Sequence, residues 1–276
     1  MNTRRWLVTG CSSGLGRTLV ERLAAEGDQV VATARRPETL ADLVARHPGT
    51  VRAAGLDVRD PAQCQAAVDL AVDAFGGVDI LVNNAAYGQF GTLEEISDTE
   101  LADQFATNVF GPWRLTRAVL PLWRAQRSGH VLFVSSVAGM VPFPGLAAYN
   151  ASKCALEGAA ESLAAEAGHL GVKVTILQPG GFATAYSSKM VLPETRIDDY
   201  TRVSDGTLGA LRGMNTNPEI NSPKLFAEVV WRLSRLESPP MRLPVGADTE
   251  AYLGAAYHAR RSEYDDVIKA GHHTAG

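Results

Sequence analysis

Thr9-Gly10-Cys11-Ser12-Ser13-Gly14-Leu15-Gly16 is the stretch on which the fold turns. It closes a short apolar run, Trp6-Leu7-Val8-Thr9, and opens Gly14–Ala25, where Leu15, Leu19 and Leu23 recur at helical spacing. A buried strand, a glycine turn and a helix make the start of a βαβ unit. Glycines there let the backbone turn tightly and approach a pyrophosphate, and the helix start offers unpaired N–H groups and the positive end of its dipole. The spacing GxxxGxG is neither GxGxxG nor GxxxxGK[ST]. A tight turn with no ligand would also use glycines, so it is the strand–turn–helix context that points to a phosphate cradle at Gly10, Ser12, Ser13, Gly14, Leu15 and Gly16.

The alternation continues outward from that turn. Gly27 stops the first helix and leads into a second strand, Gln29–Thr33. Pro37 sits near a helix start whose inner face holds Leu40, Leu43 and Val44. Residues 50–56 read as strand three, Pro61 opens a helix that runs to Gly76, and Val78–Val82 is a fully buried strand. A long helix is expected from about Asp98 to Ala125, bent or broken at Pro112 and Pro121. His130–Val134 is strand five, Ala147–Ala167 an alanine-rich helix, and Val172–Leu177 strand six. Two βαβαβ halves in tandem predict a single-domain α/β protein, a doubly wound parallel sheet (Rossmann fold) with helices on both faces. Regularity fails after Gln178. Within one domain spanning 1–276, residues 181–221 read as a substrate lid loop, rich in Gly, Pro, Ser, Thr and Asn. A helix from Pro223 to about Arg235, a strand over Met241–Val245 and a helix from Asp248 to about Val267 follow, and 270–276, with His272 and His273, read as a flexible tail.

Composition excludes several classes. The chain has 276 residues, 46% hydrophobic and 20% charged, enough to bury a core without disulfides or metal. A net charge of −4, with no run of five like charges, argues against a nucleic-acid partner. No apolar stretch reaches the ~18 residues of a membrane span, and the opening Met-Asn-Thr-Arg-Arg-Trp lacks the features of a signal peptide, so a cytoplasmic location is expected. Cys11, Cys64 and Cys154 have no CxxC spacing, and the six histidines form no ligand motif, so no metal is expected.

The chemistry sits later in the chain. Tyr149-Asn150-Ala151-Ser152-Lys153 opens a helix, and the i, i+4 spacing puts Tyr149 and Lys153 on one face. The pair alone is poor support, but it follows strand five, whose carboxyl end carries Ser136, and ligands bind at the carboxyl ends of such strands. A free tyrosine ionises near pH ~10; a nearby ammonium favours the phenolate. A tyrosine so tuned can take a proton from an alcohol or give one to a carbonyl oxygen, and Ser136 can hydrogen-bond the same oxygen. Ser135 is an adjacent candidate for that role.

With the glycine turn, these motifs resemble the short-chain dehydrogenase/reductase family from Arg5 to about Val245. TGxxxGxG stands at Thr9–Gly16, YxxxK at Tyr149–Lys153, and the serine thirteen residues before the tyrosine is Ser136. The resemblance implies an oxidoreductase interconverting a carbonyl and an alcohol, with catalytic Asn108, Ser136, Tyr149 and Lys153. Asn108 would kink the long helix and hold a water in a proton relay, and Lys153 would also bond the cofactor ribose. Asp57, with Val58 beside it, would contact the adenine amine. Asn83-Asn84-Ala85-Ala86 resembles NNAG, with Ala86 in place of the last glycine. Pro179, Gly180, Phe182 and Thr184 fall in a PGxxxT-like stretch that would meet the nicotinamide or pyrophosphate. In isolation Asn84 and Asn108 read as a cap or a turn.

Cofactor choice follows from strand two. Where an NAD site usually places an acid, this chain has Ala34, followed by Arg35 and Arg36, so no carboxylate repels a 2′-phosphate and two guanidiniums stand ready to pair with it. NADPH/NADP+ is therefore expected ahead of NADH; solvated surface arginines are the alternative. Ala86–Phe90, Val137–Pro144 and the loop after Gly181 would line the substrate pocket, including Met140, Val141, Phe143, Phe182, Tyr186 and Met190, which suits an apolar or aromatic carbonyl or alcohol. Arg196, Arg202 and Arg212 would meet an acidic substrate or stay solvated. The rival readings are a nucleotide-sensing binding protein and a non-redox or epimerase-type enzyme of the same fold. The small residues Ala155, Ala159, Ala160 and Ala164 permit close helix packing between subunits, and the resemblance implies a homodimer or homotetramer.

Overall fold

The computed structural model describes residues 3–273. Its elements in chain order are β1 (Arg5–Val8), α1 (Gly14–Ala25), β2 (Gln29–Ala34), α2 (Ala41–Arg46), β3 (Val51–Gly55), α3 (Pro61–Phe75), β4 (Ile80–Asn83), α4 (Asp98–Phe105), α5 (Gly111–Gln126), β5 (Gly129–Val134), α6 (Ala147–Ala167), β6 (Val172–Pro179), α7 (Asp198–Gly213), α8 (Pro223–Leu233), β7 (Arg242–Val245) and α9 (Thr249–Lys269). The strands form one parallel sheet in the order β3-β2-β1-β4-β5-β6-β7. The order reverses between β1 and β4, and the crevice at that switch point is where such sheets bind ligands.

The strands are short apolar runs because both faces of the sheet are covered. Trp6 and Val8 of β1 pack in one core with Leu19 and Leu23 of α1 and Phe226 and Val230 of α8. Leu7, between them, points to the opposite core, with Val68 of α3, Val119 and Trp123 of α5 and Leu156 of α6. Register then sets the site. Val8 lies beside Val82, which brings the glycine turn next to Asn84, and Val134 lies beside Leu177, which brings Ser136 next to Pro179.

Two expectations change. The long helix over 98–125 is broken at a π-turn, Ala106–Phe110, which contains Asn108 as the resemblance implied, and not at Pro112, which sits in the first turn of α5 where it needs no hydrogen bond. Pro121 is accommodated inside α5. The segment 181–221 is not a loop throughout, since it contains the 16-residue α7. Gly206 and Gly209 weaken the helical signal of α7, but Leu208 and Ser204 are buried, and packing against Phe90 and Leu146 outweighs propensity. In the expected tail, Ala270 caps α9 and 271–273 continue as a turn; 274–276 lie outside the described residues.

Candidate active site

A Cβ atom has no room at Gly10 or Gly16 of the glycine turn. Gly10 has φ +71°, and a Cβ there would stand 2.9 Å from the Ala85 Cα; one on Gly16 would stand 2.6 Å from the Gly10 carbonyl oxygen. The turn is held from behind by Asn84, whose side-chain amide donates to the Thr9 and Gly10 carbonyls at 2.8 and 3.3 Å. Thr9 Oγ1 in turn accepts from the Asn84 and Ala85 amides, each at 2.9 Å. At the start of α1, Ser13 is extended and makes no side-chain cap, which leaves the first N–H groups of the helix without a side-chain acceptor. A concave, donor-rich turn closed to side chains fits a dinucleotide pyrophosphate.

The turn forms one wall of a cavity of about 1610 Å³, and most of the residues expected in the site line it: Gly10, Ser12, Ser13, Gly14, Leu15, Arg35, Asp57, Val58, Asn84, Ala85, Ala86, Ser136, Tyr149, Lys153, Pro179, Gly180, Phe182 and Thr184. Gly16 and Asn108 stand behind the lining. Arg36 is exposed and outside it, its carbonyl capping a turn through Thr39, so of the two arginines only Arg35 faces the cavity. Asp57 is held by Arg59, at 2.8 Å from Nη2, and this pairing keeps its carboxyl below the usual range, helped by the charge of Arg35.

Ser136, Tyr149 and Lys153 converge because the end of β5 meets the first turns of α6. Ser136 caps the short turn at Val137–Gly139, its Oγ accepting from the Ala138 amide at 3.1 Å. Lys153 is buried and donates to the Val134 carbonyl at 2.8 Å, with Nζ 5.5 Å from the Tyr149 ring centroid. Burial drives the lysine down to about 8, against the pull of Glu157. Burial also raises Tyr149 above its ordinary value; the neighbouring Tyr186 and Ser136 hydroxyls pull the other way, though neither closes an ordinary hydrogen bond with it. Desolvation is the largest of these influences, so in the cofactor-free site the phenol form of Tyr149 is favoured. Asn108 lies in the π-turn and is buried, its amide donating to the Tyr87 carbonyl at 3.0 Å and to Ser152 Oγ at 3.2 Å.

The family model described as short chain dehydrogenase matches residues 4–194. This chain belongs to the short-chain dehydrogenase family. An oxidoreductase from Botryotinia fuckeliana, BOA17, is 36% identical over 92% of this chain and 93% of its own length. A 3-ketodihydrosphingosine reductase from Bacteroides thetaiotaomicron is 32% identical over 87% of both chains. A crystal structure of a short-chain dehydrogenase from Streptomyces avermitilis superposes with a TM-score of 0.89 at 37% identity, covering 100% of both chains. More distant structures hold different nucleotides. A serine dehydrogenase complexed with NADP+ has 27% identity and TM-score 0.76 over 87% of this chain and 93% of its own. A Burkholderia phymatum member in complex with NAD has 26% and 0.80 over 98% and 95%. The chain is an oxidoreductase of CH–OH and C=O groups, of a family that uses NAD or NADP.

The fold of this short-chain dehydrogenase also recruits residues that sequence reasoning missed. Asp248 looks like the cap of α9, but its carboxylate accepts from the Gly181 amide at 2.8 Å and from the Asn221 amide at 2.7 Å, tying the turn after Pro179 to the C-terminal helix. Glu95, buried, accepts from Arg196 Nε at 3.1 Å and the Ile197 amide at 2.9 Å, so Arg196 anchors the start of α7 and is not a free cation. Met140, Val141 and Met190 do not line the cavity; Val191 from the segment before α7, Leu211 and Met214 from the end of α7 and Tyr252 of α9 do. These partners are tens of residues apart in sequence, and no local spacing marks them.

Tyr186, one of the expected pocket residues, faces Tyr149 with ring centroids 5.7 Å apart. Its buried hydroxyl has no hydrogen-bond partner. Lys189, three residues on, reaches Ser13 Oγ at 3.2 Å, and Val191 bridges to Gly88 and Phe90, so the segment after β6 lies across the cavity.

Proposed function

We propose that the protein is a cytoplasmic, NADPH-preferring reductase of apolar or aromatic ketones, also able to run as a secondary-alcohol dehydrogenase, in which residues 181–221 act as a lid. The observation that carries this reading is the convergence of Ser136, Tyr149 and Lys153 on one cavity wall beside the glycine turn. NADPH, when bound, supplies the hydride to the carbonyl carbon. Ser136 donates to the carbonyl oxygen and orients it, and Tyr149, held protonated by burial, gives that oxygen its proton as charge develops. Lys153 supports the resulting phenolate and bonds the ribose hydroxyls. Asn108, fixed by Tyr87 and Ser152, holds the π-turn through which water returns a proton to Tyr149. Arg35, at the end of β2 where no acid stands, pairs with the 2′-phosphate, and Arg36 adds charge from outside the pocket. Gly10–Gly16 and Thr184 hold the pyrophosphate, Asp57 and Val58 the adenine, and Asn84–Ala86, Pro179, Gly180 and Phe182 frame the nicotinamide side.

The apolar lining at Phe143, Leu146, Phe182, Leu211, Met214 and Tyr252 supports a bulky, weakly polar substrate. Unpaired cysteines suit a reducing compartment, and Phe110 and Trp113, 50% and 55% exposed at the start of α5, supply apolar surface for a homodimer or homotetramer.

Tyr149→Phe tests the mechanism. It removes one hydroxyl, so NADPH binding stays near normal while single-turnover hydride transfer, followed by NADPH absorbance, falls by at least ~10²-fold. Hydride transfer at the wild-type rate in this variant would falsify the assignment of the proton donor.

A further inference from the structure

Four residues after Lys153, on the same face of α6, stands Glu157, a carboxyl side chain only 4% exposed. The reaction outlined above makes no use of it. Burial of such a group is costly unless it is fully paired, and here the partners come from the ends of β5 and β6 beside the active site and from β7. Ser135, the neighbour of Ser136, donates from Oγ at 2.7 Å. Gln178, the neighbour of Pro179, donates from its amide at 3.0 and 3.1 Å to the two carboxylate oxygens. Arg242 of β7 reaches the second oxygen at 3.4 Å. The turn after Ser136 is pressed onto the same group, for a Cβ on Gly139 would lie 2.5 Å from Glu157 Oε1.

We propose that Glu157 is a positioning residue of the active site, one buried carboxylate that fixes the Ser136 strand end and the Pro179-Gly180 turn and keeps the neighbouring Lys153 ammonium charged. The proposal rests on the role given to Lys153 above. The geometry explains why an acid stands where an apolar residue would pack as well. Ser135 and Gln178 present donors at the ends of adjacent strands, and one acceptor group can satisfy both only by bridging them. The negative charge also acts on Lys153, which burial alone would push towards neutrality, and Glu157 opposes that push.

The charged and titratable groups around it are few. On α6 they are Lys153, Cys154 and Glu161, the last sharing Arg242. On β7 there is Arg242, and on α9 Arg260, which acts on Cys154. Tyr149 faces Lys153 from the preceding turn of α6. Removing the charge of Glu157 therefore lowers the pH at which Lys153 loses its proton.

The test is the pH dependence of NADP+ affinity, measured by calorimetry on the full chain, with kcat/KM for ketone reduction as a second profile. In the wild type, affinity falls as pH rises through the Lys153 titration. Glu157→Gln, nearly isosteric, moves that fall to lower pH by roughly one pH unit. Glu157→Asp, which keeps the charge, stays close to wild type. If Glu157→Gln does not fold, Glu157→Met, which fills similar space without a charge, carries the same test with the same sign. A purely structural Glu157 lowers the melting temperature and leaves the profile in place; that result, or equal displacement by the Gln and Asp variants, overturns the proposal. A wild type without any such fall overturns the role of Lys153 itself, which separates the two failures.

Discussion

Lys153→Met is expected to make the protein more stable while abolishing its chemistry. The ammonium is buried, and burial lowers its pKa from 10.5 to about 8. At about 1.4 kcal/mol per pH unit, the folded state therefore carries a penalty of about 3 kcal/mol whenever the lysine is charged in both states. The sign follows from proton binding. Between about 8 and 10.5 the unfolded chain holds this proton and the folded protein does not, so stability from this group rises with pH across that window and is flat on either side. Methionine fills similar space without a charge, but it gives up the bond to the Val134 carbonyl, a loss of about 1 kcal/mol. The net gain at pH 7 is about 2 kcal/mol, or roughly 4–8 °C in Tm for a chain of this size. Denaturant unfolding followed by circular dichroism, without cofactor, at pH 7 and again near pH ~10.5, measures it. The advantage of the variant should vanish or reverse by about 1 kcal/mol at the higher pH. A variant less stable than wild type at pH 7, or an offset that does not change with pH, refutes the reasoning that desolvation dominates at Lys153.

Cofactor preference is tested by replacing Arg35 and Arg36 together with alanine: NADPH affinity should fall by about 1.5–3 kcal/mol, the worth of a charge-assisted phosphate contact, with NADH affinity little changed. Arg35→Ala alone should account for most of that loss, because Arg36 lies outside the cavity wall; equal losses for the two nucleotides would sink the 2′-phosphate assignment. Light scattering at micromolar concentration should give the mass of a dimer or tetramer, and Phe110→Ser with Trp113→Ser should shift it towards monomer. A wild-type protein that is monomeric throughout the concentration range leaves those exposed aromatics without the partner proposed for them.

How much was legible in the sequence depends on whether the signal is local. The parallel sheet with helices on both faces, the glycine turn and the Tyr149–Lys153 pair are all local patterns, because a βαβ unit, a tight turn and an i, i+4 helix face are each written within a few tens of residues at most. α7 escaped because Gly206 and Gly209 lower helix propensity, and only burial of Ser204 and Leu208 against the rest of the molecule restores the balance. Proline chemistry pointed to Pro112 for the break in the long helix; it occurs instead at the Asn108 π-turn, the kink that the family resemblance implied, where side-chain bonds to Tyr87 and Ser152 hold the backbone in the wider turn. Propensity has no term for a contact made across the fold.

The sequence by itself determined the glycine turn at the head of α1 and the hydroxyl, phenol and amine at the end of β5 and the start of α6, since those choices are made by residue type and spacing along two strand–turn–helix stretches. Tertiary structure alone decided how those groups are tuned. It buried Tyr149 and Lys153, so that the tyrosine is raised above its ordinary value and the lysine brought down to about 8. It turned Arg35 towards the cavity and left Arg36 outside. It set Asp248 on the Gly181 amide and Glu157 between Ser135 and Gln178, across 67, 22 and 21 residues of chain respectively. Desolvation and long-range hydrogen bonds depend on what surrounds a group in three dimensions, and that surrounding exists only once the distant segments have packed.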